Sequence, residues 1–290
     1  MEWLGQLVLL VLRQQNRFRY RLKFRRWKAN GYEVAYLHSS RRKTRLTLVF
    51  LHGLGASKDQ WGSHIYSLVH SYNCVFLDLP GEGESSFDGA QSYSPMIQVM
   101  RLKAFFDTRS MNDIALIGTS MGGCIASLYA AIYPAKISRL ITIAPAGLAA
   151  ARPSPAMSQF LESGNHPFGY QTVSEMLEFW EIVFTQIPKV PTFLAKALAS
   201  RGALRRPCIE KILGDFKDSG LYPLQTKLSD VRARTLVIWG SNDHIFDISC
   251  LEQMNSLLPQ ANVCIIEGAG HVPYLEHGEQ TLDAIKQFLK

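Results

Sequence analysis

Ser120 stands in "LIGTSMGGCI" (116–125), where an apolar run gives way to a helix-like stretch through Gly118-Thr119-Ser120-Met121-Gly122. In a G-x-S-x-G turn the chain reverses from strand to helix so sharply that the serine is held in a strained, exposed position. Small residues are then required two places before and two places after it. A serine hydroxyl is a poor nucleophile at neutral pH and needs a base; the base needs an acid that fixes its tautomer and stabilises its charged form. On an α/β sheet these partners belong at later strand ends, in the order Ser, Asp or Glu, His. "VIWGSNDHIFD" puts Asp243 just beyond a strand, and "IIEGAGHVPYLEH" puts His271 just beyond the last one. The interval between them has room for one helix and one strand. Asp247 is the rival acid, deeper in its loop, and His244 and His277 are the rival bases.

Acyl transfer also requires donors for a tetrahedral oxyanion. The backbone N–H of Met121, the first residue after the serine, is one candidate. The second is the N–H of Leu54 in the glycine-bearing loop "LHGLGAS" (51–57), which His52 would brace. Nucleotide chemistry fails by inspection, because a G-x-G-x-x-G begun at Gly53 meets Lys58 and one begun at Gly81 meets Ser86. No G-x-x-x-x-G-K, H-E-x-x-H or C-x-x-C occurs, so neither a P-loop nor a metal site is indicated.

Short apolar segments alternating with helix-like ones must position these groups. "YEVAYLH" (32–38) and "RLTLVFLHG" (45–53) flank the polar stretch Ser39–Lys43 and read as a hairpin; 57–71 reads as a helix capped by Ser57. Strand-like segments recur at 73–81, 113–118, 138–147, 234–240 and 261–270, with helices between them. That pattern predicts a mostly parallel sheet covered on both faces. Residues 148–230 break the alternation: they are helix-like and proline-punctuated, with a capping box at Thr172 and Glu175 ahead of an apolar stripe. An excursion at that point in the order predicts a cap over the C-terminal edge of the sheet, where ligands bind in open α/β folds.

With 47% hydrophobic and 19% charged residues the chain has the balance of a globular protein, and 290 residues suffice for a large core. The five cysteines, Cys74, Cys124, Cys208, Cys250 and Cys264, are scattered and sit mostly in apolar runs, as small core residues in a reducing compartment do. The net charge of +7 is concentrated at one end: residues 1–45 hold twelve Lys and Arg against Glu2 and Glu33, leaving the rest mildly acidic. "WLGQLVLLVL" (3–12) would span only about 15 Å as a helix, half a bilayer core, and lacks the flanks of a secretory signal. "RFRYRLKFR" (17–25) alternates basic and apolar residues as an extended segment would. Residues 1–28 are therefore expected to form a membrane-association arm on anionic lipid, with the body on the cytoplasmic side. The competing expectation is an amphipathic piece packed on the domain. No nucleic-acid-binding pattern accompanies the charge.

"LHGLGASKDQW", "DLPGEGES", "GTSMGG", "APAGL", "WGSNDHIFD" and "GAGHVPYLEH" resemble the successive motifs of the α/β-hydrolase superfamily over about residues 31–290. Within it, the chain looks most like the membrane-associated monoacylglycerol lipases and their bacterial lipase relatives. The resemblance implies an α/β-hydrolase fold, a mostly parallel central sheet flanked by helices, with core segments 29–147 and 231–290. The helical cap, 148–230, is inserted before the Asp-bearing strand. It implies Ser120, Asp243 and His271 as a catalytic triad, Leu54 and Met121 as oxyanion donors, and neither metal nor organic cofactor. The expected activity is hydrolysis of carboxylic esters, monoacylglycerols among them, through an acyl-enzyme. A carbon–carbon bond hydrolase of ring-cleavage products, or a ligand-binding protein that keeps the fold, are the alternatives. Two departures stand out: Gly-Glu-Gly at 81–83 where many members have Gly-His-Gly, and an apolar segment shorter than a transmembrane helix.

Overall fold

The computed structural model describes residues 2–29, 31–39, 44–164 and 166–290. Among these residues eight strands form one sheet: β1 (Lys23–Ala29), β2 (Tyr32–Ser39), β3 (Thr47–Leu51), β4 (Asn73–Leu77), β5 (Ile114–Thr119), β6 (Ile137–Ile143), β7 (Arg234–Gly240) and β8 (Asn262–Ile266). Their spatial order is β1-β2-β4-β3-β5-β6-β7-β8. The two pairings that β2 makes, with β1 and β4, are antiparallel, and every other pairing is parallel. Among the described residues ten α-helices accompany the sheet: α1 (Glu2–Arg19), α2 (Gly62–Tyr66), α3 (Pro95–Thr108), α4 (Met121–Ile132), α5 (Pro155–Ser163), α6 (Val173–Val183), α7 (Thr192–Asp218), α8 (Cys250–Leu257), α9 (Pro273–Glu276) and α10 (Gly278–Leu289).

The central strands are apolar on both sides because both sides are covered. In β3, Val49 and Leu51 join a core with Phe106, Cys124 and Leu128 of α3 and α4. Leu48 and Phe50 face the other way, into a core with Trp61, Ile65 and Ile285. This period-two division of one strand between two cores explains why the segment reads as a continuous apolar run. Helices α5, α6 and α7 occupy the excursion between β6 and β7. One half of the capping box forms as expected, with Thr172 accepting the Glu175 N–H at 3.2 Å; the Glu175 carboxylate takes the N–H of Gln171, one residue before the cap, at 2.6 Å.

Three local expectations are corrected. The segments 32–38 and 45–53 do not pair as a hairpin; β2 pairs with β1 and β4, and β3 lies between β4 and β5. Most of the intervening stretch, 40–43, lies outside the described residues. The hairpin is β1-β2, whose strands are separated in sequence by Asn30-Gly31, with Gly31 at φ +80°; Asn-Gly is the commonest dipeptide of two-residue hairpin turns. Residues 57–71 yield only the short α2 and a following 3₁₀ turn, with Trp61 rather than Ser57 before the helix. Finally, 17–25 is not extended throughout: α1 continues to Arg19, and the chain turns at Arg21 (φ +50°) before β1 begins.

Tertiary contacts account for the longer helix. Gly5 of α1 lies so close to α7 that a Cβ there would come within 2.4 Å of the Phe193 carbonyl oxygen. Gln6 donates to the Ala197 carbonyl at 3.1 Å and accepts from Arg201 Nε at 2.7 Å. Further along, Arg17 reaches Asp59 at 3.3 Å and Glu84 at 3.1 Å. The segment 1–28 thus divides into a helix docked on the cap and a strand that completes the edge of the sheet. The outer face of α1 leaves Trp3, Leu7, Leu10 and Leu12 exposed, Trp3 at 70%. Among the described residues, no helix is long and apolar enough to cross a membrane.

Candidate active site

Ser120 sits between the end of β5 and the start of α4 at φ +53°, ψ −122°, a left-handed conformation that costs a non-glycine residue about 1–3 kcal/mol. The surrounding backbone fixes it there: its N–H donates to Ile143 O at 2.9 Å, and its carbonyl accepts from Ala146 at 3.0 Å. The glycines of the motif are obligatory for space. A Cβ on Gly118 would lie 2.2 Å from Gly122 O, and one on Gly122 would lie 2.3 Å from Leu51 O, so strand, helix and the loop after β3 close directly on one another. Neither the Met121 nor the Leu54 N–H has a hydrogen-bond partner among the described residues, and both residues line the same cavity as Ser120.

Asp243 and His271, 28 positions apart in sequence, meet beyond the ends of β7 and β8. His271 Nδ1 is 2.8 Å from Asp243 Oδ2, with the histidine 5% and the aspartate 4% exposed. Oδ1 of the same carboxylate accepts the N–H groups of Ile245 at 2.8 Å and Phe246 at 2.9 Å. An ionised carboxylate only accepts, so Nδ1 carries the proton and Nε2 is left as the basic nitrogen. The Phe246 ring meets the imidazole edge-on, 5.4 Å between centroids. The rivals are otherwise engaged: Asp247 accepts the Ser249 N–H at 2.9 Å, His244 is exposed, and His277 precedes α10.

Two supports of the histidine were not anticipated. Its N–H donates to Val183 O at 2.9 Å, at the end of the cap helix α6. Glu276 ties the same region together, accepting from Gly270 N and from both the N–H and the hydroxyl of Thr185. No motif announces such cap-to-core bonds; the one visible signal is a glutamate five residues after the histidine.

His52 braces the loop 51–57. Completely buried, His52 donates from Nδ1 to Gly53 O at 2.8 Å and accepts the Leu79 N–H at Nε2 at 3.0 Å. Burial lowers its pKa to about 4, so it remains neutral. Beside it Glu82, also buried, is pushed up to about 8, chiefly by desolvation, while its hydrogen bond from Gly55 acts in the opposite direction. Lys58, entirely buried, joins Asp78 at 2.7 Å and also bonds Glu84.

The cavity over Ser120 holds about 750 Å³ of space, partly open to solvent. Its walls are almost wholly apolar, with Leu148, Phe160, Phe168, Leu213, Phe216 and Phe246 among them, most contributed by the cap. Among the described residues no group of His, Cys, Asp and Glu is placed to hold a metal ion.

This arrangement has relatives. Mouse monoacylglycerol lipase ABHD6 is 27% identical over 89% of this chain and 80% of its own length. Lipase 1 of Psychrobacter immobilis is 28% identical over 83% of this chain and 76% of its own. Among solved structures, a membrane phospholipase A described as a bacterial virulence factor superposes with a TM-score of 0.93 at 33% identity, covering 99% of this chain and 92% of that one. Residues 47–278 match the alpha/beta hydrolase fold family, and to that family this chain belongs.

Proposed function

We propose that the protein is a serine hydrolase of lipid carboxylic esters, with monoacylglycerols as the leading substrate class. The carrying observation is the strained Ser120 beside two unpartnered N–H groups in an apolar cavity, together with the buried His271–Asp243 pair. In this reading His271 Nε2 takes the Ser120 proton as Oγ attacks the ester carbonyl, and Asp243 stabilises the resulting imidazolium through Nδ1–H. The oxyanion gathers the N–H groups of Leu54 and Met121, neither of which has another partner among the described residues. The same proton then passes to the departing alkoxide, releasing the alcohol and leaving an acyl-enzyme. Water, deprotonated by His271, hydrolyses it and restores the serine.

A cavity with apolar walls and very few polar side chains suits a single acyl chain better than a polar head group or three chains. The phospholipase relative, at 33% identity over nearly the whole chain, favours a second reading in which the ester belongs to a phospholipid. The exposed apolar face of α1, with the cationic side chains that follow it, supports peripheral attachment at a membrane where such esters reside.

The test is fluorophosphonate labelling followed by turnover of monoacylglycerol, lysophospholipid, phospholipid and triacylglycerol. Ser120→Ala should abolish labelling. His271→Ala and Asp243→Asn should each lower kcat by about four orders of magnitude, and combining them should add little because they act as one unit. Fastest turnover of a phospholipid would move the assignment to the second reading, and equal turnover of emulsified triacylglycerol would count against a single-chain site. A silent Asp243→Asn with a crippling Asp247→Asn would reverse the choice of acid.

A further inference from the structure

Glu82 lies beneath the Gly53–Ala56 turn, where a carboxylate is costly. It is only 5% exposed. One oxygen accepts the Gly55 N–H. The other has no hydrogen-bond partner among the described residues; His52 Nδ1 is 3.7 Å away and gives its proton to Gly53 instead. A buried polar atom left this way costs about 1–3 kcal/mol, a cost that a merely space-filling residue would not incur. The local backbone nonetheless directs the group inward. The Glu82 N–H is tied to Leu79 O at 2.9 Å. The next residue can only be glycine, because at φ +60° a Cβ on Gly83 would stand 2.1 Å from the Asp78 carboxyl carbon.

We propose that Glu82 is a positioning residue for ester hydrolysis: by holding the Gly55 N–H it anchors the Gly53–Ala56 turn so that the Leu54 N–H stays available above Ser120. The proposal rests on Ser120 as nucleophile and Leu54 as oxyanion donor. With glycine at 53 and 55 the turn has little stiffness of its own. Its internal bond, Ala56 N–H to Gly53 O at 3.2 Å, closes the turn without fixing its tilt. The Glu82 bond attaches it to the loop that follows β4. From the cap, Arg205 approaches the same turn, its Nη1 3.5 Å from Ala56 O.

The protonation state of Glu82 then matters to the reaction. Desolvation and the charge of Asp78 favour the neutral acid, whereas Arg205 favours the carboxylate; Cys208 of α7 faces it too, with its own thiol raised by burial. His52 remains neutral and Lys58 is occupied by Asp78, Asp59 and Glu84. A neutral acid anchors Gly55 without placing negative charge under a developing oxyanion. Once ionised, it opposes that oxyanion.

The experiment uses the full chain and a water-soluble p-nitrophenyl ester, with Ser120→Ala as the blank. Wild-type kcat should fall about ten-fold between pH 7 and 9, centred near 8, at steady KM, as two like charges in a poorly screened site require. Glu82→Gln keeps an oxygen for Gly55 but cannot ionise; it should hold kcat within about three-fold at pH 7 and lack that fall. Glu82→Ala should lose about 30-fold in kcat with little change in KM, less than deleting an oxyanion donor outright. If the alanine variant does not fold, the glutamine pH profile decides. A glutamine profile superimposable on wild type, or an alanine variant with undiminished kcat, overturns the proposal. Ester hydrolysis surviving Ser120→Ala would instead overturn the reading of the site itself.

Discussion

The sheet edge and the cap that covers it are built to different standards. Around Ser120, backbone meets backbone with no room for one extra carbon, and the residues beneath are wholly buried. In the cap, the apolar cluster comprises Met176, Ala195 and Ala199 with partly buried neighbours, while Leu161, Leu177, Ile187 and Leu204 lie exposed, Leu204 at 78%. Catalytic geometry tolerates displacements well below 1 Å, so it is carried by close-packed main chain. A wall that must admit and release an acyl chain draws on the less stable part of the molecule, where few buried contacts resist local opening. Bonds from the His271 N–H to Val183 O and from Arg205 to Ala56 O cross between the two parts.

The contrast is broken most severely by one methyl group. Gly122→Ala would force a Cβ to 2.3 Å from Leu51 O and 2.4 Å from His52 O, moving the elbow or the oxyanion loop. It should destabilise the protein by about 3 kcal/mol and cut kcat at least about 100-fold. Gly214→Ala, in α7 with nothing within 4 Å, should add about 0.5–1 kcal/mol through helix propensity and leave kcat unchanged. Denaturant midpoints and kcat on a soluble ester check both; similar effects at the two positions would refute the division.

The same contrast explains what could be read from the sequence. The Ser120 turn, Asp243, His271 and the alternating parallel strands were legible because steric crowding and two-sided burial restrict the residue types allowed at each position. The β1-β2 hairpin was missed, because the polar stretch Ser39–Lys43 suggested that residues 32–38 pair forward with 45–53 rather than back with β1. Only from Tyr20 onward does the period-two alternation of residues 17–25 match burial, with Tyr20 and Leu22 inside and Arg21 and Lys23 outside. The helix that overrides it before Arg19 depends on Asp59, Glu84 and α7, far away in sequence. The bond that Glu82 accepts from Gly55 likewise joins segments 27 positions apart. Such contacts have no local pattern to reveal them.

A smaller effect is expected where the cap touches substrate. Leu213 is half-buried and lines the cavity, so Leu213→Ala removes apolar contact without hollowing the core. KM for a long-chain monoacylglycerol should rise about ten-fold, the worth of a few methylenes in an apolar pocket, with kcat for an acetate ester unchanged. Equal losses on both substrates would mean that the cap shapes the catalytic groups rather than the acyl chain's path.

The smallest catalytic effect is expected from α1, although its effect on location should be complete. Of the eight basic residues between Arg13 and Lys28, four pair with carboxylates of the chain: Arg13 and Arg17 with Asp59, Arg26 and Lys28 with Glu33. Arg19, Arg21, Lys23 and Arg25 are exposed, and near an anionic surface each contributes at most about 1 kcal/mol, weakened by salt. In the proposed attachment they would add to the apolar face of Trp3, Leu7 and Leu10 the second signal that stable binding requires. Removing residues 2–19 spares β1, which removal of 1–28 would take from the sheet. The shortened protein should leave anionic vesicles for the soluble fraction and keep kcat/KM on a water-soluble ester within about five-fold, because α1 meets the core only through Arg13 and Arg17 at Asp59 and Glu84 and does not line the cavity over Ser120. Unfolding of that protein would make α1 part of the core. Full-length protein that ignores anionic vesicles at low salt would leave the apolar face of α1 without the role proposed for it.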